Sequence, residues 1–146
     1  MIKKMEKMKK TIGITLSIVV LCTFAACDRT ISPDKLPRQA QQFVTANFND
    51  ANILSVRRDG FKYDVILSNG TELEFKHDGS WKEIDCGLNP LPAGVLPTPT
   101  AQYLSANFPM NSATHVKYEN RRYEVELDND LDLVFDKNGL FFGADD

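Results

Sequence analysis

Histidine and cysteine are scarce here, with two and three residues in a chain of 146. So few soft ligands leave little room for a His/Cys metal cluster. No Cys-x-x-Cys, His-Glu-x-x-His, Gly-x-Ser-x-Gly or glycine-rich phosphate loop occurs either. Seven prolines and eight glycines are too few for a collagen-like or low-complexity chain. No apolar run reaches the roughly 20 residues that a spanning helix needs. A basic stripe is also missing. The whole chain carries −3 and residues 1–26 carry five Lys against Glu6, or +4, so the other 120 residues sum to −7. That balance excludes a nucleic-acid partner, because neutralising phosphates takes clustered Lys and Arg.

What the sequence does have begins with its leader. Lys3, Lys4, Lys7, Lys9 and Lys10 precede an uncharged, largely apolar run over residues 11–26. Its sixteen residues fit the hydrophobic region of a signal peptide. Phe24-Ala25-Ala26-Cys27 then resembles the lipobox of bacterial lipoproteins, with Phe24 where an aliphatic residue is usual. Cleavage would leave Cys27 as an acylated N-terminus. Ordinary cleavage after Thr23-Phe24-Ala25 and a retained anchor are the alternatives, and all three place the body outside the cytoplasm. Residues 1–26 are thus expected to be a signal peptide and 27–35 a tether. Cys22 leaves with the leader and Cys27 takes lipid, so Cys86 remains alone and cannot form an intramolecular bridge. It is expected to be a free thiol near a strand end. A body of roughly 110 residues can still bury about two-thirds of its surface and stand on its core.

The body reads as a repeat. At an offset of 60, residues 36–86 align with 96–146 without a gap, with 15 identities in 51 pairs. Leu36-Pro37 matches Leu96-Pro97, and Ala46-Asn47-Phe48 matches Ala106-Asn107-Phe108. Each half opens on a helical pattern, with Pro37 and Pro97 in the first turn. Ala40, Phe43, Val44 and Phe48 form one buried stripe, and Ala101, Leu104 and Phe108 the other. The period then changes to two. Phe61, Tyr63, Val65 and Leu67 point one way, and Lys62, Asp64 and Ile66 the other. Asn69-Gly70 marks a hairpin corner, followed by Leu73 and Phe75 alternating with Glu72 and Glu74. Tyr123, Val125, Leu127, Leu133 and Phe135 repeat the pattern around Asn129-Asp130. Residues 87–95, with two Pro, two Gly and no charge, read as the connector. The expected fold is α+β: two α-β-β-β-β units, 36–86 and 96–146, share one antiparallel sheet of about eight strands. Both helices cover one face, and Tyr63 and Tyr123 take equivalent inward positions, as do Phe75 and Phe135.

Leu36-Pro37, Gln42-Phe43, Ala46-Asn47-Phe48, Tyr63-x-Val65-x-Leu67-x-Asn69-Gly70, Leu73-x-Phe75 and Asp78-Gly79-x-Trp81 together resemble the PepSY-like family of putative beta-lactamase-inhibitor-like secreted proteins. The second half keeps Tyr123, Val125, Leu127, Asn129, Leu133, Phe135 and Gly139, with Asp130 in place of the turn Gly and Phe141 in place of the Trp. The resemblance implies an exported protein of Bacteroidetes-type bacteria. It also implies a curved sheet like that of the beta-lactamase inhibitory protein, and a role in binding or inhibiting a protein such as a protease. It supplies no inhibitory residue to carry over.

The residues themselves point away from catalysis and from any cofactor. His77 and His115 occupy non-equivalent positions and read as surface or loop histidines. Asp128, Asp130 and Asp132 resemble a calcium loop, yet Leu133 and Gly139 stand where an EF-hand needs Gly and Glu. A solvated hairpin corner is expected there, with a small ligand or cation held by the acids as the alternative. Residues 96–146 carry nine acids against four bases, and residues 36–86 eight against six. The expected partner surface is therefore the polar sheet face, carrying Lys62, Asp64, Glu72, Glu74, Glu124, Glu126 and Asp132. The expected partner is an envelope protein or peptide, and the membrane is met through the N-terminal lipid alone.

Overall fold

The computed structural model describes residues 29–145. The leader over 1–26 and Cys27 lie outside the described residues. The chain forms one nine-stranded antiparallel sheet with two helices, and the strands lie in sequence order across it. β1 (Arg29–Thr30) is followed by a short 3-10 turn (Pro33–Lys35) and α1 (Arg38–Asn47). Then come β2 (Ile53–Asp59), β3 (Lys62–Leu67), β4 (Glu72–Lys76) and β5 (Trp81–Asp85). α2 (Thr98–Asn107) leads to β6 (Ala113–Glu119), β7 (Arg122–Leu127), β8 (Asp132–Asp136) and β9 (Phe141–Asp145).

Alternation decides which side of each strand is dry. Val56, Val65, Leu67, Leu73, Phe75 and Ile84 are buried, and so are Val116, Val125, Leu127, Leu133 and Phe135, all in one cluster with Ala40, Val44 and Leu104 of the helices. Tyr63 faces Phe75 in the β3–β4 ladder, and Tyr123 faces Phe135 in the β7–β8 ladder. Both helices therefore lie on the same face. Ile84 opposite Val116 carries the core across the β5–β6 junction.

Three expectations change. The sheet has a ninth strand, because the tether pairs Arg29 and Thr30 with Arg58 and Arg57, and Ile31 N–H donates to Val56 O at 2.9 Å. Two residues are too short to show a period. Phe61 is not inward but 82% exposed. Gly60 takes φ +56° and makes, with Phe61, the two-residue turn between the paired Asp59 and Lys62, so Phe61 sits at a tip outside the alternation. On α2 the buried first-turn residue is Thr100, fully buried, while Ala101 faces water. Thr100 lies one helical turn before Leu104, and its hydroxyl donates to Gly139 O at 3.0 Å, which satisfies its polar atom inside the core.

Candidate functional site

The face opposite the helices is polar because every second residue of each strand emerges there. Asp64 pairs with Arg57 on one side and Glu74 on the other, and Glu74 continues to Glu83. A bulge in β5 places Lys82 beside Glu83, so both serve the same ladder position. Across the junction Glu83 meets Lys117 and Asp85 meets His115. The second half continues through Glu124 opposite Lys117 and Glu126 opposite His115, then Asp132 opposite Glu126. All seven sequence-predicted residues thus share one surface.

They do not share one environment. Lys62 Nζ lies 2.8 Å from Glu74 Oε2 and 3.4 Å from Asp64 Oδ1, while Lys82 Nζ lies 3.1 Å from Glu74 Oε1 and 3.4 Å from Glu119 Oε1. Burial alone would push the Glu74 carboxyl up, but the Lys62 and Lys82 ammoniums outweigh it and hold the group below the usual glutamate range. The hydrogen bond to Glu74 correspondingly raises Lys62. This cluster is internally neutralised, as a structural network would be. Glu72, Glu124, Glu126 and Asp132 are more open. Of these four, only Glu126 lies within 4 Å of a basic side chain among the described residues, its Oε2 3.4 Å from His115 Nδ1.

Two shallow grooves run along the face. The first, about 300 Å³, gathers Asp64, Glu72, Glu74, Glu83 and Asp85 with Arg57. The second, about 330 Å³, gathers Glu83, Glu124, Glu126 and Asp132 with His115 and Lys117. Glu83 lines both. Four ladder pairs set acid directly against acid: Asp64 with Glu74, Glu74 with Glu83, Glu72 with Asp85, and Glu126 with Asp132. Like charges directly opposite cost stability where no cation offsets them. Arg57, Lys62 and Lys82 offset the pairs at Asp64 and Glu74. That leaves Glu72 with Asp85 and Glu126 with Asp132 as the pairs that no Lys or Arg contacts among the described residues.

Several residues of this face were missed in the sequence. Glu83, Lys82, Lys117 and Arg57 arrive through strand register and the β5 bulge, which no local pattern reports. His115 is not in a loop. It lies on β6, partly buried, with Nε2 2.9 Å from Glu83 Oε1, and its place next to inward Val116 could have revealed its face. His77 does lie at an exposed turn, its ring 6.3 Å from that of Phe61. At the acidic corner Asp130 takes φ +62°, and Asp128 Oδ1 accepts from Asn111 Nδ2 at 2.8 Å. No three His, Cys, Asp or Glu side chains converge as a metal-ligand set among the described residues. Cys86 is a free, buried thiol just past β5, and burial pushes it up, away from the nucleophilic thiolate.

The chain is similar to known proteins in two comparisons. A family model described as "Putative beta-lactamase-inhibitor-like, PepSY-like" matches residues 61–142. A putative periplasmic protein of unknown function from Bacteroides vulgatus superposes with a TM-score of 0.77 at 30% identity, over 82% of this chain and 99% of that one. A second protein of Bacteroides vulgatus, also described as putative periplasmic, gives 0.76 at 31% identity over 84% and 99%. A putative calcium-regulated periplasmic protein from Bacteroides thetaiotaomicron gives 0.77 at 29% identity over 82% and 97%. No curated protein matches.

Proposed function

The chain belongs to the PepSY-like family of putative beta-lactamase-inhibitor-like proteins, and from that premise we propose that it is an exported, non-enzymatic binding module. Its polar sheet face docks a protein or peptide of the cell envelope, and inhibition of a protease is the narrower form of this reading. The observation that carries it is the excess of acids along two open grooves, among them the directly opposed pairs Glu72–Asp85 and Glu126–Asp132, which no Lys or Arg contacts among the described residues. The helix-covered face is largely closed, which leaves the sheet as the broad free surface. Export agrees with the leader and with neighbours described as periplasmic. We infer also that 36–86 and 96–146 are copies of one unit joined by 87–95, which the sixty-residue alignment and the matching ladders support.

The test is an association rate against a partner isolated from envelope extract. Reversing Glu124 and Glu126 to Lys is expected to slow association about tenfold, because a groove of net acidic charge steers its partner. Stability should move by only about 0.5–1 kcal/mol, since Glu124 faces solvent and Glu126 gives up one half-exposed contact with His115. Salt should slow the unaltered protein, as the Debye length falls from about 10 Å at 0.1 M to about 3 Å at 1 M. A rate indifferent to both changes would move the site elsewhere. The cation reading of Asp128, Asp130 and Asp132 gains interest from the calcium-regulated neighbour. It predicts that Ca²⁺ alters the rate beyond what equal ionic strength of K⁺ does.

Attachment to the membrane through a lipid on Cys27 is the second element of the proposal, resting on Ala25-Ala26-Cys27. Intact mass of the membrane-extracted protein should show an acylated Cys27 N-terminus, and Cys27→Ser should abolish it. A mature N-terminus at Ala26 without lipid would refute it.

A further inference from the structure

A cleft opens beside the first helix. Trp81, the only tryptophan of the chain, begins β5. Its ring centroid lies 6.5 Å from Phe43 on α1 and 6.3 Å from Tyr123 on β7. Tyr118 of β6 lies 4.5 Å from Tyr123. These rings line a cleft of about 270 Å³, rimmed by Gln39, Lys76 and Ser80. In the second half the equivalent pair packs flat, Tyr103 stacking on Phe141 at 4.4 Å and 8°. Phe43 and Trp81 instead splay at 37°. The cleft thus lies where the two halves meet, with α1 on one wall and β6 and β7 on the other.

Its charge is as unusual as its shape. Lys76 Nζ sits 5.5 Å over the Tyr118 ring and makes no ion pair among the described residues, in a body that sums to −7. Asp78, exposed on the neighbouring turn, spends its Oδ1 on Ser80, accepting from the backbone N–H at 2.9 Å and the hydroxyl at 2.6 Å, and feels the Lys76 charge without contacting it. The cleft thus offers apolar ring faces beside one cation that no carboxylate contacts among the described residues. We propose that it is a second binding site, distinct from the polar sheet face, for a peptide segment that sets an apolar side chain next to a carboxylate. Aromatic rings supply large, rigid contact area at low conformational cost, and Lys76 favours the anion that the acidic surroundings would otherwise repel.

Trp81 makes the site self-reporting. The intact protein is titrated with N-acetyl-phenylalanine, carrying its free carboxylate, and separately with N-acetyl-phenylalaninamide, while Trp81 emission is followed. Both probes should give a saturable change, and the carboxylate should bind about threefold tighter, the scale of an exposed charge pair. Lys76→Gln should erase that preference, and Gln39→Glu should weaken the carboxylate probe alone. Both substitutions lie at the rim, so both proteins should fold and bind the amide as before. Three results would each overturn the proposal: no saturable emission change up to the probes' solubility, equal affinity for the two probes, or a preference that survives Lys76→Gln.

Discussion

Gly139→Ala is expected to destabilise the domain by about 2–4 kcal/mol, and Gly79→Ala by a similar amount, while Gly70→Ala costs only about 1 kcal/mol. All three glycines hold φ between +81° and +88°, where an L side chain is strained. What separates them is space. A Cβ on Gly139 would lie 2.7 Å from Pro97 Cβ and 2.8 Å from Thr100 Oγ1, and one on Gly79 would lie 2.8 Å from Pro37 Cβ and 3.1 Å from Ala40 N. Around Gly70 nothing comes within 4 Å. The first two turns are therefore the places where the β4–β5 and β8–β9 corners press against the helix N-termini. A methyl there must push the helix off the sheet as well as bear the backbone cost. The chain already contains the control, since Asp130 occupies the place sixty residues after Gly70 at φ +62°, and Asp tolerates that region in open space. Urea unfolding of the three variants measures the difference. Equal costs for Gly139→Ala and Gly70→Ala would mean that the close approach carries no energy.

The same contrast shows what the sequence could and could not disclose. Gly79 and Gly139 stood out as shared by the halves, but only the helix lying against them explains why Gly70 could become Asp130. Alternation was reliable wherever a strand had one dry face, which is why Tyr63, Val65, Leu73 and Phe75 and their partners were placed inward. It failed at Phe61, because a two-residue turn at Gly60 has no periodicity of its own. Helical spacing failed at Thr100, since a polar residue was discounted although its hydroxyl finds a buried carbonyl. The seven polar-face residues were legible for the same reason as the core, being its complement. Their pairing was not. The ion pairs from Lys62 and Lys82 to Glu74, and the hydrogen bond between His115 and Glu83, depend on register between strands far apart in sequence and on the bulge at Lys82. The aromatic cleft was hidden for a related reason, because Phe43, Trp81, Tyr118 and Tyr123 meet only through the β5–β6 junction.

That junction sets the last expectation, which concerns whether the two halves stand or fall together. Phe135→Ala should cost about 3–5 kcal/mol, a large fraction of a typical domain's 5–15 kcal/mol. Phe135 is fully buried, with Tyr103 edge-on at 5.5 Å and 79° and Phe141 at 5.8 Å and 71°, so truncation removes apolar area and leaves a cavity under α2. Phe75 has the matching place in the first half, edge-on to Phe43 at 5.8 Å and 77°. Each half alone would have a small core, and sixty residues bury too little surface to be more than marginal. Ile84 opposite Val116 makes the two cores one. A cavity in the second half must then lower the stability of the first. Trp81, which lies in the first half, reports this directly. Its emission midpoint in urea should fall with Phe135→Ala and coincide with the midpoint seen by backbone circular dichroism. A Trp81 midpoint left unchanged while the backbone unfolds in two steps would show two independent folding units, each able to keep its own helix on its own four strands.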